Sequence, residues 1–164
     1  MSKSNTNKSR FTIAALIVGA VIIAAYMLYP KPKGDEEAIR LVISDMAVAV
    51  EEGDVRGFMS HVSERYADDY GNDRNAIKAF IFMKVLRGGD INIFIRGLKL
   101  EIDGTRALGD LNVIMTSNAE VKSIADILPE DSAGYSFSIV FEKEGKDWMV
   151  LNAEWKNIGA RAFL

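Results

Sequence analysis

Residues 11–29, FTIAALIVGAVIIAAYMLY, form nineteen positions without a charge, and Thr12 is their one conventionally polar side chain. At about 1.5 Å rise per residue a helix of this length crosses a hydrocarbon core of about 30 Å, so the run reads as a transmembrane helix. Beyond it the pattern becomes amphipathic. From Asp35, an expected N-cap, Ile39, Val42, Ile43, Met46 and Val50 recur at helical spacing until Gly53 supplies a stop. Asp54 then caps a shorter helix in which Val55, Phe58, Met59 and Val62 share a face. A polar segment from Ser63 to Tyr70 follows. Around Gly71, Asn72 and Asp73 the chain turns into a third helix carrying Ile77, Phe80, Ile81 and Val85, closed by Gly88 and Gly89.

The period then switches to two. Ile91, Ile93 and Ile95 alternate with Asn92, Phe94 and Arg96, and after Gly97 the alternation resumes with Leu98, Leu100 and Ile102 against Lys99, Glu101 and Asp103. Gly97 marks a bulge, the device that curves a sheet. Asp103 and Gly104 predict a hairpin turn into a strand from Arg106 to Thr116. Residues 117–134 read as an excursion at the sheet's end, with loop-formers around a helical turn or two. Tyr135, Phe137, Ile139 and Phe141 then alternate with polar neighbours, Gly145, Lys146 and Asp147 form a turn, and Trp148 to Trp155 returns as the last strand, ahead of a short tail from Lys156. These elements predict an α+β fold: three N-terminal helices packed on a strongly curved antiparallel sheet, preceded by one transmembrane helix.

The flanks of the apolar run indicate its orientation. Lys3, Lys8, Arg10 and the amino terminus precede it with no acid, whereas Lys31 and Lys33 are followed at once by Asp35, Glu36 and Glu37. The excess of basic residues favours a cytoplasmic N-terminus and an exported C-terminal domain. A cleaved signal peptide is the competing reading, but the run is longer than a signal core and no small-x-small site closes it, so an uncleaved anchor is expected. Residues 1–10 are then a cytoplasmic tail, 11–29 the span, 30–34 a stiff linker containing Pro30, Pro32 and Gly34, and 35–164 one domain. Ala15 and Gly19 give the span a small-xxx-small face suited to helix pairing.

Charge and cysteine usage narrow the partners. The chain holds 20 basic and 23 acidic residues, and the three basic residues ahead of residue 31 leave a net charge of −6 on the remainder. With no basic block, neither nucleic acid nor an anionic bilayer is expected as the main partner. Absence of cysteine excludes disulfides, thiol lipidation and thiolate metal sites.

The order of elements, with the helix closed at Glu52-Gly53-Asp54, the segment from Phe58 to Tyr66, the helix after Asn72-Asp73, the turn at Asp103-Gly104-Thr105 and the terminal Gly-Lys-Asp-Trp-Met-Val-Leu hairpin, resembles the nuclear transport factor two-like family. The likeness covers about residues 35–156 and implies a cone-shaped α+β domain, the fold of ketosteroid isomerase and the polyketide cyclases. Such a cone encloses a concave, largely apolar pocket into which a few polar groups are aimed. Isomerase chemistry requires a carboxylate base facing an acidic donor, and the first helix here offers Met46, Ala47, Val48, Ala49 and Val50 with no Tyr.

His61 is the sole histidine, and a general base at this position would take Tyr66 or Tyr70 as partner; a boundary residue at a helix end is the simpler expectation. His61, Tyr66, Tyr70 and Trp155 are the candidate ligand-binding residues, and no catalytic residue is assigned. Asp68, Asp69 and Asp73 lack the alternating oxygen pattern of a calcium loop and read as a solvated turn, so no metal is expected. Gly88-Gly89-Asp90 has neither nucleotide-binding signature, and no cofactor is expected. Trp148, Trp155, Tyr135, Phe137 and Phe141 either line a ligand cavity or fill the core beneath the helices, and core packing is the expectation.

The expected function is therefore a non-catalytic interaction or scaffold module outside the cytoplasmic membrane, with envelope proteins or a second copy as partner. Its layout of short tail, single span and cone resembles the assembly-scaffold subunits of type IV secretion systems. The alternative is a module holding a small apolar ligand or lipid in the cone, and a third reading is an enzyme on a small hydrophobic substrate.

Overall fold

The computed structural model describes residues 34–88, 91–116 and 132–159. The predicted span at 11–29, the tail, most of the linker and all but the last three residues of the excursion at 117–134 lie outside the described residues, among which no helix is long and apolar enough to cross a membrane. The described part is one compact unit of three helices and four strands: α1 (Asp35–Glu51), α2 (Val55–Ser60), α3 (Arg74–Gly88), β1 (Asn92–Asp103), β2 (Arg106–Thr116), β3 (Ser132–Glu144) and β4 (Asp147–Asn157).

The helices begin where short polar side chains accept free backbone N–H groups. Asp54 accepts from the N–H of Gly57 at 2.9 Å at the head of α2, and Asp73 accepts from that of Ala76 at 2.8 Å at the head of α3. Asp35 does not cap α1 as expected; Gly34 holds that position with no side-chain cap. The Asp35 carboxylate instead accepts from Lys143 Nζ at 2.6 Å and from Trp148 Nε1 at 3.0 Å. These bonds, that to Lys143 foremost, hold its pKa below the ordinary carboxylate value.

The four strands form an antiparallel meander in the order β1-β2-β3-β4. Gly104 and Thr105 make the first hairpin turn and Gly145 and Lys146 the last, so Asp147 belongs to β4 and not to its turn. β3 begins at Ser132 and β4 runs to Asn157, each beyond its predicted end. The register slips between Arg96 and Lys99, around Gly97, and again between β3 and β4 at Val140 and Phe141. Gly97 sits at φ +64°, where any Cβ is strained. We expect Gly97→Ala to lose roughly 1–2 kcal/mol, read as a lower urea midpoint at unchanged slope.

All three helices lie over one face of this sheet, and that face is solid at one end and hollow at the other. At the hairpin end Ile39, Val42 and Ile43 of α1 pack on Ala107, Phe141, Trp148 and Val150, and both Phe141 and Trp148 are almost wholly buried. Gly109 makes this possible, since a Cβ there would stand 3.0 Å from the Phe141 ring and 3.2 Å from Leu100. The stretch after α2 closes the outer edge of β4: Ser63 N–H donates to the Val150 carbonyl and Val150 N–H to that of His61. Glu51 similarly accepts the N–H of Ile93 on β1 at 2.6 Å.

Candidate functional site

The hollow end holds a cavity of ≈ 420 Å³. Its roof is the second half of α1, through Met46, Ala47 and Val50, joined by Phe58 of α2 and by Ile77, Phe80 and Ile81 of α3. Its floor is the sheet, with Ile93 and Ile95 of β1, Leu111, Val113 and Met115 of β2, Tyr135, Phe137 and Ile139 of β3, and Ala153 and Trp155 of β4. The alternation of each strand aims every second side chain here, so one wall is built of branched aliphatics and the other of rings. A space of this size and polarity lies within the range of small-molecule pockets.

Polar groups reach the lining in three places among the described residues: Tyr66, Tyr135 and the indole of Trp155. Tyr66 is buried and its hydroxyl donates to Asp68 Oδ2 at 3.3 Å. Burial first, and then the negative charge of Asp68, raise the phenol far above its ordinary pKa, so it stays neutral with its proton directed at Asp68. No carboxylate, histidine or lysine lines the cavity among the described residues.

Asp68 corrects the expectation of a solvated acidic turn: it is 8% exposed. Besides Tyr66, it accepts from the backbone N–H of Tyr70 at 3.0 Å and from the backbone and side chain of Asn72 at 2.8 and 2.9 Å. Burial opposes its charge, but these donors, the Asn72 side chain foremost, outweigh it and leave the pKa below 3.8. A carboxylate depressed on folding stabilises the native state above its unfolded pKa, and that contribution fades as pH falls through the folded value. We expect Asp68→Asn to reduce stability at pH 7 and to flatten its decline below about pH 4, as seen in urea titrations across pH.

The four sequence-chosen residues divide. Tyr66 and Trp155 line the cavity, while Tyr70 and His61 are not among its lining residues. Tyr70 is 59% exposed, but its ring lies 5.3 Å from that of Trp155 and its hydroxyl donates to the Trp155 carbonyl at 3.3 Å. His61 caps the C-terminus of α2, with Nε2 3.8 Å from Asp45 Oδ2. Burial lowers its pKa against the opposing pull of Asp45 and Asp147.

Of the five C-terminal aromatics expected to fill the core, Trp148 and Phe141 are buried in it, Phe137 and Trp155 pack against it while half-buried, and Tyr135 belongs to neither group. Trp155, Tyr135 and Phe137 line the cavity, with Phe137 6.5 Å from Trp155 and 6.2 Å from Tyr135 between ring centroids. Phe80 of α3 approaches Trp155 to 6.3 Å and is half exposed, which extends the aromatic row toward the surface. Their spacing is the same whether they pack or line, so the division was not readable from the strand pattern. Among the described residues no group of three or more acidic, histidine or cysteine side chains is placed to hold a metal.

No protein-family sequence model and no curated protein sequence matches the chain. Solved structures do match it in fold. A candidate dehydratase of the NTF2-like (nuclear transport factor two-like) family from Streptomyces avermitilis aligns with TM-score 0.63 at 13% identity, over 78% of this chain and 99% of that one. A protein of unknown function with a cystatin-like fold from Nostoc punctiforme aligns with TM-score 0.61 at 6% identity, over 75% and 90%. A candidate scytalone dehydratase from Novosphingobium aromaticivorans gives TM-score 0.61 at 11% identity, over 75% and 83%. The domain therefore has the NTF2-like, cystatin-like α+β fold.

Proposed function

We propose that the domain is a binding module for a neutral, apolar small molecule or acyl chain, tethered to a membrane by residues 11–29 with its N-terminus cytoplasmic and the domain outside. The ≈ 420 Å³ cavity carries this reading, because its described walls are almost wholly apolar and present no ionised group that a charged ligand would need. Two of the structural neighbours are candidate dehydratases, so the fold hosts enzymes as well as carriers. Here the described walls lack the carboxylate or imidazole that proton transfer requires, and Tyr66 is committed to Asp68. Holding a ligand thus stands before turning it over, and before the scaffold role, for which tethering is the main support.

The test uses the full chain in lipid nanodiscs titrated with N-phenyl-1-naphthylamine, an apolar fluorophore. Trp148 and Trp155 are the only tryptophans, and Trp155 lies in the cavity wall. Saturable energy transfer to one probe per chain, above that of protein-free nanodiscs, is expected, reduced in Trp155→Phe to the share that Trp148 supplies. Transfer that rises without saturation above that background contradicts the proposal.

A further inference from the structure

The aromatic row at the hollow end grows more exposed along its length. Phe137 and Trp155 are half-buried, Phe80 is half exposed, and Tyr70, which touches Trp155 from outside the lining, is more exposed than either neighbour. Among the described residues the row therefore marks a place where the cavity meets solvent, between β4 and α3. Tyr70 is its outermost ring.

The loop that presents Tyr70 has a fixed backbone. Ala67 and Asp73 pair across its base. That base is fastened to β4, since the Ala67 N–H donates to the Leu151 carbonyl at 3.2 Å and Asn152 Nδ2 donates to the Ala67 carbonyl at 2.9 Å. Asp68 fills the interior and accepts from the N–H groups of Tyr70 and Asn72. At the tip the Asp69 and Glu154 carboxyls share a hydrogen bond, which raises the Glu154 pKa.

The Tyr70 side chain is held far more lightly. Among the described residues its partner is Trp155, through rings 5.3 Å apart and tilted by 47° and through a hydroxyl donated to the Trp155 carbonyl at 3.3 Å, beyond the usual O–H···O range. One tilted ring pair and one long hydrogen bond at the surface favour the stacked position by about tenfold. Rotation about the side-chain bonds breaks both contacts, moves the ring into water and leaves the backbone bonds intact, a motion that exposed side chains make readily.

We propose that Tyr70 is the gate of the cavity, closed when stacked on Trp155 and open when rotated away. The gate regulates the binding site proposed above and rests on that reading. Because Tyr70 lies outside the lining, a ligand meets it in passage and not when bound. Removing it therefore changes rates of entry and exit together and leaves the equilibrium between them alone.

The test follows the full chain in nanodiscs by stopped flow, reading entry of N-phenyl-1-naphthylamine from tryptophan energy transfer and exit from a chase with excess empty nanodiscs. Tyr70→Ala is expected to speed entry and exit by about tenfold each while Kd stays within twofold. Tyr70→Phe, which loses the hydroxyl bond and keeps the ring, should lie between this and the wild type. Faster exit with unchanged entry, and binding weakened in proportion, overturns the gate and makes Tyr70 part of the wall. Saturable binding with both rates unchanged in Tyr70→Ala also overturns it, and leaves the cavity a binding site entered elsewhere. Absence of saturable transfer in the wild type removes the binding reading itself, and the gate with it.

Discussion

Trp148→Ala is expected to lower the free energy of unfolding by about 3–5 kcal/mol, a large share of the roughly 5–15 kcal/mol typical of a whole domain. The side chain is 2% exposed at the solid end of the sheet, where Phe141, Ile39 and Val150 belong to the same buried cluster. Removing it leaves a void in a part of the core held rigid on one side by the sheet and on the other by α1. It also deletes the Nε1 donor to Asp35, but that carboxylate keeps Lys143 and is partly in water, so most of the loss is packing. Trp148→Phe separates the two contributions, since it removes the hydrogen bond and retains most of the ring area. Urea denaturation followed by far-ultraviolet circular dichroism should give Trp148→Phe less than half the loss of Trp148→Ala.

The hollow end should respond in the opposite way. Ala47 of α1 and Ala153 of β4 both face the cavity, and Ala47→Phe with Ala153→Phe introduces two rings into it. Excluding three or four ligand methylenes, at about 0.8 kcal/mol each, weakens apolar binding about 100-fold. Because the rings enter empty space, the double variant should keep its melting temperature within a few degrees or raise it, unlike overpacking in a filled core. Loss of probe binding with unchanged folding would separate the cavity from the core as a functional unit. Clear destabilisation with a molten near-ultraviolet spectrum would show the space to be core.

Much of the fold was readable because turns and periods agreed. Asp103-Gly104 and the alternation after it placed β2 from Arg106 to Thr116, and Gly97 announced the register slip. Asp54 marked the start of α2 as a cap and accepts an N–H three residues on; α3 was marked by the turn around Gly71, Asn72 and Asp73, and there Asp73 proves to be a cap as well. Asp35 misled because an acid near a helix start resembles a cap even when distant groups, Lys143 and Trp148, claim its oxygens. The burial of Asp68 was hidden similarly: its donors come from Tyr66, Tyr70 and Asn72, and an Asp-rich stretch reads as solvated unless those donors are seen.

The site was legible only in fragments. Tyr66 and Trp155 were singled out, yet the isoleucines and the pair Tyr135 and Phe137 define the cavity as much as they do. A strand pattern states which face a side chain takes and not whether the space above is filled. That depends on Gly109 admitting Phe141 at one end and on small Ala47 and Ala153 facing each other's side at the other. Phe80 to Met83 reads as one apolar run, so the sequence did not separate Phe80 and Ile81 of the cavity wall from exposed Phe82 and Met83.

The central claim is that the hollow is a binding site. Its most direct test is denaturing extraction and mass spectrometry of the small molecules carried by the purified full chain, beside the Ala47→Phe, Ala153→Phe variant isolated identically. One neutral, apolar compound per wild-type chain, absent from the folded variant, is the expected result. Equal amounts from both, or none from either, would contradict it.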